Sequence, residues 1–152
     1  MIHRFICVII MIGLSACAAA PGPEQLKQDD TAAKAGQFMR VAETTRAGGD
    51  LINALVLYQR AAAVRPDWLD PVMAMGDTAY AANEYAFARD AYQRAATMDG
   101  AEFNAVIGLG RFLLRLGEFE EAVVAFDHAP NDARALNGAA VSMDLLGQST
   151  QA

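Results

Sequence analysis

The side chain best suited to covalent chemistry is the thiol of Cys17, which closes a short apolar segment and follows two small residues, Ser15 and Ala16. A thiol is a nucleophile that can carry a thioether-linked lipid, and small neighbours leave the backbone open to a peptidase. Cys7, the other cysteine, lies inside the apolar segment, so its removal and acylation of Cys17 leave no disulfide. The remaining candidates point to packing. His128 is the one histidine left after such removal, and it reads as a solvated surface position; a lone imidazole without thiols makes a poor metal site. Gly108, Leu109 and Gly110 begin like a dinucleotide loop, but Leu113 stands where the third glycine belongs and no strand precedes them. Both glycines read as helix contacts. Glu118, Glu120 and Glu121 cluster where a helix begins, which the helix dipole favours without any catalytic role. No metal, cofactor, small-molecule substrate or enzymatic reaction is therefore expected. An envelope hydrolase with an unrecognised site is the rival from another class.

The elements around Cys17 explain its setting. Met1 to Arg4 is a short basic start, and Phe5 to Gly13 (FICVIIMIG) is an apolar run far shorter than the roughly 20 residues of a membrane-spanning helix. Residues 1–16 thus read as an export signal. Leu14, Ser15, Ala16 and Cys17 resemble the lipobox of bacterial lipoproteins at all four places. The resemblance implies a diacylglyceryl and N-acyl lipid on Cys17, and two such chains would anchor the protein with on the order of 20 kcal/mol. Ala18 rather than Asp after the cysteine implies the outer membrane, on its periplasmic side. Residues 17–34 contain Pro21, Gly22 and Pro23 followed by mixed charges and predict a flexible tether.

The whole chain of 152 residues, 54% of them hydrophobic, suffices for one small domain. The formal charge of −6 argues against nucleic acid. Loss of residues 1–16 takes Arg4 away and leaves 11 basic and 18 acidic side chains, a net charge of −7 that favours a basic or neutral ligand. A 34-residue period follows. Gly49, Ala54, Tyr58 and Ala61 recur as Asn83, Ala88, Tyr92 and Ala95, then as Gly117, Ala122, Phe126 and Ala129. This resembles the tetratricopeptide repeat, over residues 35–152. The implied fold is all-α, a solenoid of antiparallel helix pairs with about three repeats plus a final helix. The three turn positions suit left-handed backbone, and Asp50 suits an N-cap. The third repeat is shorter, so its second helix should lose about one turn. The last helix is expected over Ala133 to Leu146, ended by Gly147. Ala152 then lands where Ala54 stands in the first repeat, which reads as a truncated fourth repeat.

In such repeats the first helices line a concave groove. By alignment that face holds Met39, Glu43 and Arg46, then Met73, Asp77 and Tyr80, then Ile107, Arg111 and Leu114. The apolar row Met39, Met73 and Ile107 would hold a peptide's side chains, and Glu43, Asp77 and Arg111 would set its register. Members that grip chaperone C-termini carry Lys and Asn where Met39 and Glu43 stand, so that clamp is absent. The strings LGRFLLRLGEFEEAVVAFDHA (109–129) and ALNGAAVSMDLLGQSTQA (135–152) resemble TadD-type lipoproteins of the tight adherence (Flp) pilus apparatus. That implies a pilotin-like assembly scaffold acting with secretin components. A scaffold for envelope or peptidoglycan enzymes is the alternative.

Overall fold

The computed structural model describes residues 22–98 and 102–149, and the export signal, the lipobox with Cys17, and Ala152 lie outside them. Seven helices make up the described chain: α1 (Pro23–Ala47), α2 (Leu51–Val64), α3 (Leu69–Ala81), α4 (Tyr85–Ala96), α5 (Glu102–Leu116), α6 (Phe119–Asp127) and α7 (Ala133–Ser149). Each packs on the next, and α5 also meets α3 and α7, so the first helices α3, α5 and α7 form one row. This is the all-α solenoid that the 34-residue period requires.

The turns follow from the residues at fixed places in the period. Gly49, Asn83 and Gly117 take φ values of +87°, +61° and +81°, the left-handed conformation that ends a helix and redirects the chain. Asp50 accepts the backbone N–H of Asn53 at 3.2 Å and caps α2. Asn83 is the one residue with a Cβ in this conformation among the described residues, and its Oδ1 accepts the Tyr85 hydroxyl at 2.8 Å. Asn83→Ala should cost about 1 kcal/mol in urea unfolding while Asn83→Gly stays near neutral, because the left-handed region penalises an ordinary side chain.

The aromatic residues act as wedges between successive repeats. A Cβ on Gly76 of α3 would come within 2.9 Å of the Tyr92 ring, and one on Gly108 of α5 within 3.3 Å of it. Phe126 sits the same way, 2.6 Å from a Cβ on Gly110 of α5 and 2.4 Å from one on Gly138 of α7. The rings of Tyr92 and Phe126 are thus each seated between glycines of their own first helix and of the next. The Gly108–Leu109–Gly110 run is explained by this packing, the two glycines serving different rings.

Three expectations are corrected. The tether is not coil throughout, because α1 begins at Pro23 and residues 23–34 form an exposed helix. Pro23 at the first helical position has the right φ and no N–H to satisfy, Glu24 complements the dipole, and good helix formers follow. Twelve residues then rise about 18 Å instead of wandering as coil. Gly147 does not end α7, which runs on to Ser149. The apolar row of the groove is mostly core, as described below. The shortened third repeat is as expected, α6 having 9 residues against 14 in α2 and 12 in α4.

Asp132 opens α7. Its carbonyl accepts the N–H of Leu136, and its carboxylate accepts the N–H of Arg134 at 2.8 Å and pairs with that guanidinium. The hydrogen bonds from the Arg134 side chain, then its backbone, hold the Asp132 carboxyl down to about 2 from the usual 3.8. A depressed folded pKa stabilises above the unfolded value and is lost as pH falls through the folded one. The urea midpoints of wild type and Asp132→Ala should therefore converge as pH falls from about 4 towards about 2.

Candidate functional site

The row of first helices is the inner face of the solenoid. Here α3 meets α5 and α5 meets α7, whereas the second helices are held apart by open grooves. One groove of about 440 Å³ separates α2 from α4, and another of about 480 Å³ separates α4 from α6. They are one feature repeated: Gln59 and Ala62 line the first where Gln93 and Ala96 line the second, 34 residues on. Small alanines next to each wedge leave these gaps. Lining charges differ between the two copies, with Asp90 in one replaced by Val124 in the other, so no shared ligand chemistry emerges. His128 is exposed at the second groove with Nδ1 2.8 Å from the Val124 carbonyl.

The inner face differs in having polar groups that converge. Asp77 is exposed on α3 and accepts a hydrogen bond from the Tyr92 hydroxyl. Burial first, and then the hydrogen bond and charge of Asp77, push the Tyr92 phenol well above its ordinary value, so it stays a donor. In the first repeat the equivalent hydroxyl of Tyr58 accepts from Arg46 Nε at 3.3 Å. Each wedge with a hydroxyl therefore reaches the inner face and ties down one groove residue. The third repeat breaks this pattern twice, with Phe126 in place of a tyrosine and Arg111 in place of Asp77. No hydroxyl is left to engage Arg111, which is exposed and makes no ion pair among the described residues.

Arg115 lies one turn beyond Arg111 on α5, its guanidinium 4.9 Å from the centre of the Tyr80 ring. Tyr80 in turn stands edge-on to Phe112 at 6.0 Å and beside Tyr85 at 5.6 Å. Asp77, Tyr92, Gly108, Arg111, Phe112 and Arg115 enclose a small notch of about 80 Å³. The arrangement presents two cations, one of them stacked on an aromatic ring, beside the carboxylate of Asp77. It can take a carboxylate or a polar main-chain group.

Of the nine groove positions expected from alignment, Glu43, Arg46, Asp77 and Arg111 are exposed. Tyr80 and Leu114 are half-buried, and so are Met39 and Met73, which pack against the core. Ile107 is 3% exposed and belongs to the core outright. The apolar row is therefore scaffold for the most part, because α3 and α5 are each covered both by their own second helix and by that of the repeat before, and α1 by α2. Arg115 and Tyr92 were not expected in the site. The four-residue step from Arg111 was the available signal for Arg115. Among the described residues no group of three or more His, Cys, Asp or Glu is placed to hold a metal, and no helix is long and apolar enough to cross a membrane.

Comparison with known proteins agrees with this geometry. Residues 79–143 match the family model described as tetratricopeptide repeat. Cellulose synthase operon protein C of Xanthomonas axonopodis pv. citri (strain 306) is 32% identical over 120 residues, which cover 79% of this chain. The chain spans 8% of the length of that relative. Among solved structures, the first TPR of Spaghetti (RPAP3) bound to the HSP90 peptide SRMEEVD is similar with a TM-score of 0.65 at 17% identity, covering 75% of this chain and 94% of that one. MamA (41-end) from Desulfovibrio magneticus RS-1 is similar with a TM-score of 0.65 at 21% identity, covering 76% of this chain and 67% of that one.

Proposed function

The chain carries the tetratricopeptide-repeat fold, and from that premise we propose that it is a membrane-anchored, non-enzymatic scaffold that grips a protein segment on its inner face. The observation that carries this is the pair of inner-face cations on α5, Arg111 exposed with no ion pair and Arg115 stacked on Tyr80. An acidic protein that keeps two cations together on its inner face is built for a segment with a carboxylate there. The net charge alone favours a basic or neutral ligand, and these local cations reverse that preference on the inner face. A lipid on Cys17 would hold the solenoid at the outer membrane, facing the periplasm, with α1 as a stiff stalk.

Within that reading, the strings at 109–129 and 135–152 support a pilotin-like role in assembly of the tight adherence pilus, with a secretin component as partner. The relative named for a cellulose synthase operon favours a second reading, a scaffold for an envelope polysaccharide enzyme. Two experiments on the full chain test these. Metabolic labelling with a radioactive fatty acid should mark wild type and not Cys17→Ser; label on both removes the anchor. Affinity capture from detergent-solubilised envelope with Cys17 intact should return a secretin component on the first reading and a polysaccharide-synthase subunit on the second. Capture of neither removes both assignments.

A further inference from the structure

The groove between α4 and α6 differs in kind from its counterpart between α2 and α4. Its volume of about 480 Å³ falls inside the range of roughly 300–1,000 Å³ that small-molecule sites occupy. The floor is aliphatic, made by Val106, Leu109 and Leu113 of α5 with Ala96 and Ala125 on the flanking helices. Where the counterpart carries the opposite charges of Asp90 and Arg94, this groove has Val124 and His128, and Val124 is 60% exposed. Glu120, Glu121, Val124, Ala125 and His128 follow one stripe of α6, so the groove is elongated along that helix and suits a chain better than a compact ring. It lies between two complete helix pairs, α3–α4 and α5–α6, and the repeats themselves set its shape.

Two carboxylates line the groove, and no lysine or arginine does. Glu121 pairs with Arg89 at 3.1 Å, whereas Glu120 is exposed and makes no ion pair among the described residues. Both stand at the start of α6. About 12 Å further along that helix, His128 donates its Nδ1–H to the Val124 carbonyl at 2.8 Å, which commits that N–H within the chain. Thr97 and His128, the C-caps of α4 and α6, line this same end, and helix C-termini disfavour anions. An anionic head group is therefore opposed at either end, and a cation is favoured beside Glu120. We propose that this groove binds a single-chain amphiphile with a primary ammonium head. Its alkyl chain lies on Val106, Leu109 and Val124, and its ammonium group meets Glu120. The site is built on second helices and is separate from the Arg111 notch.

The test adds decylamine carrying a diazirine on its chain to the full chain in phospholipid vesicles, and maps the photolabel by mass spectrometry. Saturable label is expected at Val106, Leu109 or Val124. Unlabelled decylamine should compete about tenfold better than decanoate, which loses the attraction of Glu120 and gains its repulsion. Glu120→Gln should narrow that margin to about threefold and leave competition by decanol unchanged. Val124→Arg, which puts a cation over the floor, should abolish the label, and Ile52→Arg, outside both grooves, should not. Because Glu120 and Val124 are exposed, both variants should melt as wild type does by circular dichroism. Label that spreads along the chain without saturating, or equal competition by decanoate, overturns the proposal. Competition by an acetylated leucine–lysine–leucine tripeptide as strong as that by decylamine would put a polypeptide side chain in the groove and also overturn it.

Discussion

Replacing Phe126 with alanine should lower the unfolding free energy by about 3–5 kcal/mol. The ring is 1% exposed and wedged between Gly110 of α5 and Gly138 of α7. Its removal leaves a cavity at the junction of three helices, and the backbone on both sides is too close-packed to collapse into it fully. The converse change tests the same geometry. A methyl at Gly138 would stand 2.4 Å from the ring, so Gly138→Ala should cost about 1–3 kcal/mol by overpacking. The two effects share one contact and will not add: Gly138→Ala should be less damaging in a Phe126→Leu background than in wild type. Equilibrium urea unfolding measures all of these. A loss below about 1 kcal/mol for Phe126→Ala would mean that the ring is not the wedge that joins α5, α6 and α7. Because repeats hold only their neighbours, hydrogen exchange in Phe126→Ala should show α7 losing protection before α2 and α3.

Arg111→Glu should weaken capture of the partner by about thirtyfold, some 2 kcal/mol, without moving the melting temperature. The side chain is exposed and pairs with no carboxylate among the described residues, so the fold loses nothing by its reversal. In a complex it would meet a carboxylate across the notch shared with Arg115, and reversal converts attraction into repulsion at a partly desolvated site. The wild-type interaction should also weaken in high salt, since both cations lie at the surface. Asp77→Asn offers a contrast: it keeps an acceptor for the Tyr92 hydroxyl and leaves the arginines in place, so capture should change little. Unchanged capture by Arg111→Glu would remove the arginine pair from the site.

The 34-residue period made the turns and the wedges legible. Gly49, Asn83 and Gly117 could be read from the residue types that tolerate left-handed backbone, and Tyr58, Tyr92 and Phe126 from their flanking alanines. What the period could not say is which neighbour each small residue serves. Gly108 and Gly110 stand two apart on one helix, yet face rings of different repeats. For the same reason Ile107, placed on the groove by alignment, is buried: spacing fixes a direction around the helix but not how far adjacent helices close over it. The start of α1 was hidden by Pro21–Gly22–Pro23, since proline reads equally as a breaker and as the first residue of a helix. The notch was half legible. Arg111 and Asp77 came from alignment, but the hydroxyl that engages Asp77 arrives from a helix 15 residues away, which no local pattern records.

Site-specific photocrosslinking in living cells, with Cys17 intact, tests most directly whether the inner face is the binding surface. A photoreactive residue at Glu43 or Arg111, both exposed on first helices, should yield one shared protein adduct, and the same residue at Ile52 or Val124, exposed on second helices, should not. An adduct formed from Ile52 or Val124 but from neither Glu43 nor Arg111 would contradict it.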